Sequence, residues 1–176
     1  MPARTLLSFA PPATRAPDCG FMPEFRTTRR VTHSAEEMYA LVADVERYPE
    51  FVPFCERLDV RGRRKEGERE VLVADMTIGY KLVRETFTSK VTLDREALEI
   101  GADYLDGPFR TMENSWTFQP LAAGGSEISF RIHYEFRSRA LAMLMGAVFD
   151  RVFRTFAHAF ETRADRIYGK VASAGG

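Results

Sequence analysis

The sequence predicts an α+β domain in which a curved antiparallel sheet wraps around one long C-terminal helix. Three observations carry that expectation. From Ser138 to about Val171, large apolar residues recur at steps of three, one and three, which marks one face of a helix with 3.6 residues per turn. Residues 56 to 136 alternate apolar and polar side chains in runs broken by turn-forming residues, the pattern of five or six antiparallel strands. Ahead of them, Ser34-Ala-Glu-Glu37 has the spacing of a capping box, a serine and a glutamate that satisfy each other's backbone donors at a helix start.

The first strand is expected over Glu24 to Thr32. The capped helix then buries Met38, Leu41 and Val42 and stops near Asp44. Pro49 and Pro53 restrict Val45 to Cys55 to a short second helix and a turn. Breaks in the meander are expected at Gly62 to Gly67, Gly79, Asp94-Arg95, Asp106-Gly107-Pro108 and Pro120 to Gly125. Alternation assigns the faces between them. Leu72, Ala74, Met76 and Ile78 share one side, as do Val83 and Phe87. Leu98, Ile100, Ala102 and Tyr104 form another set, then Met112, Trp116 and Phe118, then Ile128 to Phe136. The terminal helix covers this apolar side with Leu141, Leu144, Met145, Val148, Phe149, Val152, Phe153, Phe156, Phe160 and Ile167, while Arg151, Arg154, His158, Glu161, Asp165 and Arg166 face outward. At 1.5 Å per residue it reaches about 48 Å, so it must cross the whole body. Burying its ten large side chains is worth about 15–30 kcal/mol by area, an upper bound.

The 176 residues suit one domain, expected over 23–171, with a disordered tail at 172–176. Residues 1–22 are expected to be a disordered leader. Pro2, Pro11, Pro12 and Pro17 interrupt any helix, and the apolar patch Leu6 to Ala10 is too short for a secretory core. Arg4 and Arg15, with no acid before Asp18, keep a mitochondrial transit peptide as the alternative, and a start at Met22 is a third reading. A formal net charge of zero gives no global field to attract nucleic acid, which argues against DNA as a partner. No apolar run reaches the 18 residues of a membrane span. Cys19 and Cys55 lie in unrelated contexts, so no disulfide framework is expected and a reducing compartment suits the chain.

A curved sheet gripping one helix leaves a space between the two, and here its lining would be almost wholly apolar. The expected lining is Phe51 and Phe54 from the short-helix loop, Ala74, Met76, Glu85, Phe87, Tyr104, Phe109, Asn114 and Trp116 from the strands, and Phe149, Phe153 and Phe156 from the helix. Glu85 and Asn114 are polar residues in apolar registers. Each must meet a ligand, an internal partner or water, unless a bulge turns it outward. The loop from Tyr48 to Phe54 is either a gate over the space or packing that closes one end. Ala140 to Phe149 is apolar on every side, which means burial under loops or docking on a membrane or partner. The basic run Arg61, Arg63, Arg64 and Lys65 is expected at a hairpin turn, either solvated or placed to touch phosphates. His33, His133 and His158 are expected to be structural or solvated. No triad or metal-ligand spacing is present, so no catalytic or metal-binding residue is assigned.

The run Ser34-x-x-x-Met38-Tyr-x-Leu-Val-x-Asp44-Val-x-x-Tyr48-Pro-x-Phe-x-Pro53-x-Cys55 resembles the opening of the coenzyme-Q-binding START-domain family. So do Asp106-Gly-Pro-Phe109, Trp116-x-Phe-x-Pro-Leu121 and the ending Val152-Phe to Phe160-x-x-Arg163-Ala-x-x-x-Tyr168, in order from about Met22 to Lys170. The resemblance implies the START-like helix-grip fold, ubiquinone or a similar isoprenoid as bound ligand, no required cofactor, and a non-catalytic carrier or chaperone role in respiration. A bacterial branch with the same motifs is named for a ribosome-association toxin thought to block subunit joining. The large ribosomal subunit is therefore the alternative partner, with Arg61, Arg63, Arg64 and Lys65 as contacts. The wider superfamily contains aromatase/cyclase enzymes, the minor alternative. The place implied is the bacterial cytoplasm with peripheral contact at the inner membrane, or else the matrix side of the mitochondrial inner membrane.

Overall fold

The structure, a computed structural model, describes residues 24–169, with the side chains of 145–151 outside the described set. The leader 1–22, the tail 172–176, both ends of the expected 23–171 domain and the side chains of Met145, Val148, Phe149 and Arg151 thus lie outside the described residues. The elements are β1 (Glu24–Val31), α1 (Ala35–Ala43), a 3-10 turn at Val45–Arg47, α2 (Tyr48–Phe51), β2 (Cys55–Glu66), β3 (Arg69–Tyr80), β4 (Val83–Asp94), β5 (Glu99–Asp106), β6 (Phe109–Pro120), β7 (Ser126–Phe136) and α3 (Arg139–Tyr168). Seven antiparallel strands form one sheet in the order β1-β7-β6-β5-β4-β3-β2. This is the helix-grip fold, with α3 against the apolar side of the curved sheet.

Sequence neighbours β1 and β2 lie at opposite edges of that sheet. At about 4.8 Å per strand the chain between them must cross most of the sheet's width, and α1 and α2 make that crossing. The capping box forms as expected: Glu37 N–H donates to Ser34 Oγ at 3.2 Å, and Ser34 N–H donates to the Glu37 carboxylate at 2.9 Å. Met38 and Val42 are fully buried beneath it.

Curvature comes from four bulges, where Glu56 and Arg61 on β2, Leu105 on β5 and Arg110 on β6 are extra residues without a partner across the ladder. Two of them correct the expected strand limits. Gly62 does not break β2: it follows the Arg61 bulge, and the strand runs on to Glu66 before a two-residue turn at Gly67-Glu68. The basic run therefore lies along an edge strand and not at a turn. Gly79 is likewise inside β3; the turn is Lys81-Leu82, with Lys81 at φ 53°. A glycine inside a bulge or beside a crowding side chain looks the same in sequence as a glycine in a turn.

The helix α3 starts at the Ser138 cap, whose Oγ accepts from Leu141 N–H at 3.3 Å, and ends at Gly169. Val152, Phe153, Phe160 and Ala164 are buried against the sheet. Leu144 and Ile167, expected on that face, are exposed. Asp165, expected outward, is drawn in by His33, whose Nε2 lies 2.8 Å from its Oδ1. The His33 backbone carbonyl accepts from Ser126 Oγ at 2.9 Å, so this buried histidine ties the end of α3 to the β1–α1 corner. Among the described residues no helix is long and apolar enough to cross a membrane.

Candidate functional site

Between α3 and the sheet lies an apolar cavity of about 150 Å³, partly open to solvent. Side-chain size explains its position. The inward registers bring Ala74 opposite Ser89, and Val91 opposite Ala102, on the neighbouring strands β3, β4 and β5. Small side chains at three adjacent inward positions leave the aromatic layer of α3 without atoms to touch. Phe153, Phe156 and Phe160 roof the space, and Trp116, Phe130 and Phe109 wall it on the β6–β7 side. The Trp116 and Phe130 rings lie 4.4 Å apart, and Phe153 packs 5.4 Å from Phe25.

Of the residues expected to line the space, Phe54, Ala74, Met76, Phe87, Phe109, Asn114, Trp116, Phe153 and Phe156 do so. Three expectations are corrected. Phe51 packs behind the wall, 5.1 Å from the Phe160 ring and beneath the Arg163 guanidinium, because α2 turns it toward α3. Glu85 lies too near the hairpin end of β4 and lines a smaller recess beside the cavity. Tyr104 packs edge-on against Phe109 at 5.7 Å, its buried hydroxyl without a hydrogen-bond partner among the described residues. Phe149 falls outside the described side chains.

Sequence reasoning assigned neither Ser89 and Tyr80 nor apolar neighbours such as Val91, Phe130 and Phe160 to the lining, and named Tyr48 only within the loop over the space; all of them line the cavity. Ser89 was legible: Phe87-x-Ser89-x-Val91-x-Leu93 continues the inward alternation of β4. It is 7% exposed and brings a hydroxyl to the cavity wall. Asn114 brings an amide whose nitrogen lies 3.9 Å from Met112 Sδ, a weak acceptor. Tyr48 is different. Its hydroxyl donates to the Val42 carbonyl at 2.6 Å, and burial pushes the phenol well above its ordinary pKa, so it stays neutral.

The loop from Tyr48 to Phe54 both lines the cavity and closes it. Arg163 donates to Glu50 at 2.8 Å across the gap between α3 and α2. The Arg47 guanidinium, 2.7 Å from Glu50, and then Arg163 hold that exposed carboxyl below its usual range. Phe54 has φ 66°, a left-handed conformation that costs a bulky residue about 1–2 kcal/mol. Gly79 N–H donating to its carbonyl at 2.9 Å and Tyr80 packed 5.3 Å from its ring hold it there.

The basic run is largely compensated. Arg61 pairs with Asp75 at 2.5 Å, Arg63 with Glu46 at 2.6 Å and Glu70 at 3.0 Å, and Arg64 with Glu66 at 2.5 Å. His133 sits beside Glu24 on the outer face, and His158 is exposed. Among the described residues no group of three or more histidine, cysteine or acidic side chains is placed to hold a metal. In the apolar stretch Ala140 to Phe149, Met143 and Leu144 are exposed and not buried under loops, while the side chains of 145–149 lie outside the described residues.

Comparison with known proteins places this geometry. The model of the family described as polyketide cyclase / dehydrase and lipid transport matches residues 31–161. A ribosome association toxin of Vibrio cholerae is 32% identical over 149 residues, covering 85% of this chain and 100% of that protein. A mitochondrial coenzyme Q-binding protein of Xenopus laevis is 32% identical over 151 residues, and the match spans 84% of this chain but 60% of that protein. Among solved structures, an 18 kDa protein from Caulobacter crescentus superposes with a TM-score of 0.72 at 29% identity, over 85% of this chain and all of that one. A Streptomyces aromatase/cyclase gives the same TM-score at 20% identity over 88% of this chain and 99% of its own, a likeness of fold.

Proposed function

From the premise that this chain belongs to the polyketide cyclase / dehydrase and lipid transport family, we propose that it binds an isoprenoid quinone such as ubiquinone and carries it without catalysis. The observation that carries this reading is the cavity, apolar on nearly every side and furnished with a few polar groups. An apolar lining gives affinity at about 25 cal/mol per Å² buried, reduced by ordering costs, while sparse polar groups orient the ligand. The relative named for coenzyme Q binding supports the choice of quinone among hydrophobic ligands. A carrier needs no cofactor, and no proton-transfer pair faces the cavity among the described residues: Tyr48 is held neutral by burial and already bonded. The place of action we infer is the surface of a respiratory membrane. The test is solvent extraction of the purified chain followed by mass spectrometry. A quinone recovered at a near-stoichiometric level is the expected result, and a chain that carries other lipids but never quinones contradicts the ligand class.

A second reading has one observation in its favour: the ribosome association toxin matches along its whole length. Under that reading the chain contacts the large ribosomal subunit, with Lys65 and the arginines of β2 at the phosphates. Those arginines would first have to leave Asp75, Glu46, Glu70 and Glu66. Co-sedimentation with large subunits at low salt, lost when Arg61, Arg63, Arg64 and Lys65 become Ser, would establish it.

A further inference from the structure

The cavity is too small for a whole isoprenoid lipid. At about 150 Å³ it equals an engineered cavity that takes one benzene ring, so a single six-membered ring fits and a polyprenyl tail does not. A quinone must therefore seat one end inside and leave the other outside. Polarity decides which end. Ser89, more than nine-tenths buried, faces the cavity with a hydroxyl able to donate to a ligand oxygen. Asn114 lines the same wall, separated from Ser89 by the small Ala102 on β5. A tail seated there would offer no acceptor to either group, whereas a ring with two oxygens offers acceptors to both.

The tail then needs a way out, and among the described residues two recesses that share walls with the cavity can be compared. One shares Trp116, Phe130 and Phe160 with it, but Arg29 and Glu161 line that recess and form a 3.2 Å ion pair. The other shares Ile78, Tyr80, Phe87 and Phe109 with the cavity and continues over Val83, Pro108 and Phe136 to Leu141. It lies between the β3–β4 hairpin and the first turn of α3, where Leu82, Met143 and Leu144 are left exposed. That path is apolar except for Glu85.

Resting on the quinone reading above, we propose that the ring binds inward, with its oxygens at Ser89 and Asn114, and that the tail leaves between the β3–β4 hairpin and the start of α3. The test uses the full chain and three probes: a tailless dimethoxybenzoquinone, the same ring with a decyl tail, and decanol. Ser89→Ala removes the hydroxyl while keeping a small side chain, and is expected to weaken both quinones about 5- to 10-fold, the loss of one hydrogen bond, while decanol binding stays unchanged. Leu141→Trp, which plugs the exit, is expected to weaken the tailed quinone about tenfold and leave the tailless ring unaffected. Equal quinone affinity in wild type and Ser89→Ala overturns the inward ring but leaves the quinone reading standing. Equal loss of tailed and tailless ligands in Leu141→Trp overturns the exit. A wild-type chain that binds decanol but neither quinone, or none of the three, overturns this pose and the quinone reading together. Circular dichroism of each variant separates lost binding from lost fold, and a variant that unfolds is replaced by Ser89→Gly or Phe136→Trp.

Discussion

The Cys55 thiol opens β2 at 5% exposure, and burial pushes its pKa from 9.0 up to about 11. The folded chain thus keeps this proton at a pH where the unfolded chain has lost it. The stability that follows is fully present below about pH 9 and is lost as pH rises toward 11. Between those values wild type should lose about 2 kcal/mol more than Cys55→Ala, whose urea melts serve as the reference. Parallel curves for the two proteins would show that the thiol ionises freely. Other residue-scale features were partly legible. Alternation gave the inward side of each strand, so Ala74, Met76, Phe87 and Trp116 could be placed before any coordinates. It could not say which inward residue meets empty space. Glu85 and Asn114 look equivalent in sequence, yet α3 passes over the middle of the strands, where Asn114 lies, and leaves Glu85 at the hairpin end.

Glycine 107 makes the β5–β6 turn possible and, with it, one wall of the cavity mouth. Its φ is +132°, and a Cβ there would lie 2.8 Å from both the Thr86 carbonyl oxygen and Phe87 Cβ. Backbone, not a flexible side-chain tip, blocks the space. Gly107→Ala should therefore destabilise the fold by about 1–3 kcal/mol and loosen Phe109, the next strand's first residue, against Phe87. Thermal melts of the variant check this, and an unchanged midpoint would contradict the close approach. The elements themselves were mostly readable. The capping box located α1 because a serine and a glutamate three positions apart do the same job in any helix. Strand lengths were harder, since Gly62 and Gly79 serve β2 and β3 from within. The period of α3 gave its buried face at Val152, Phe153 and Phe160, but periodicity carries no information on which residues of that face meet a partner, and Leu144 and Ile167 are exposed.

For the molecule as a whole, the order of elements was enough to predict a sheet gripping a helix. Local patterns did not reveal that β1 would close against β7 while β2 took the far edge, since that pairing joins residues about a hundred positions apart. The cavity follows from the same long-range fit: three small inward residues on adjacent strands under three phenylalanines of one helix. Ala74→Phe puts a ring into the ring-sized space and should leave the fold intact, because the added atoms enter a void instead of a packed core. The decisive measurement is titration of wild type and Ala74→Phe with a short-tailed ubiquinone analogue, followed by the fluorescence of Trp116, the chain's one tryptophan and part of the cavity wall. Saturable quenching in wild type, weakened at least about tenfold in Ala74→Phe with an unchanged circular dichroism spectrum, is the predicted result; a tenfold loss corresponds to about 1.4 kcal/mol. Equal affinity in the two proteins, or no saturable binding in wild type, would contradict a ligand held between the sheet and α3.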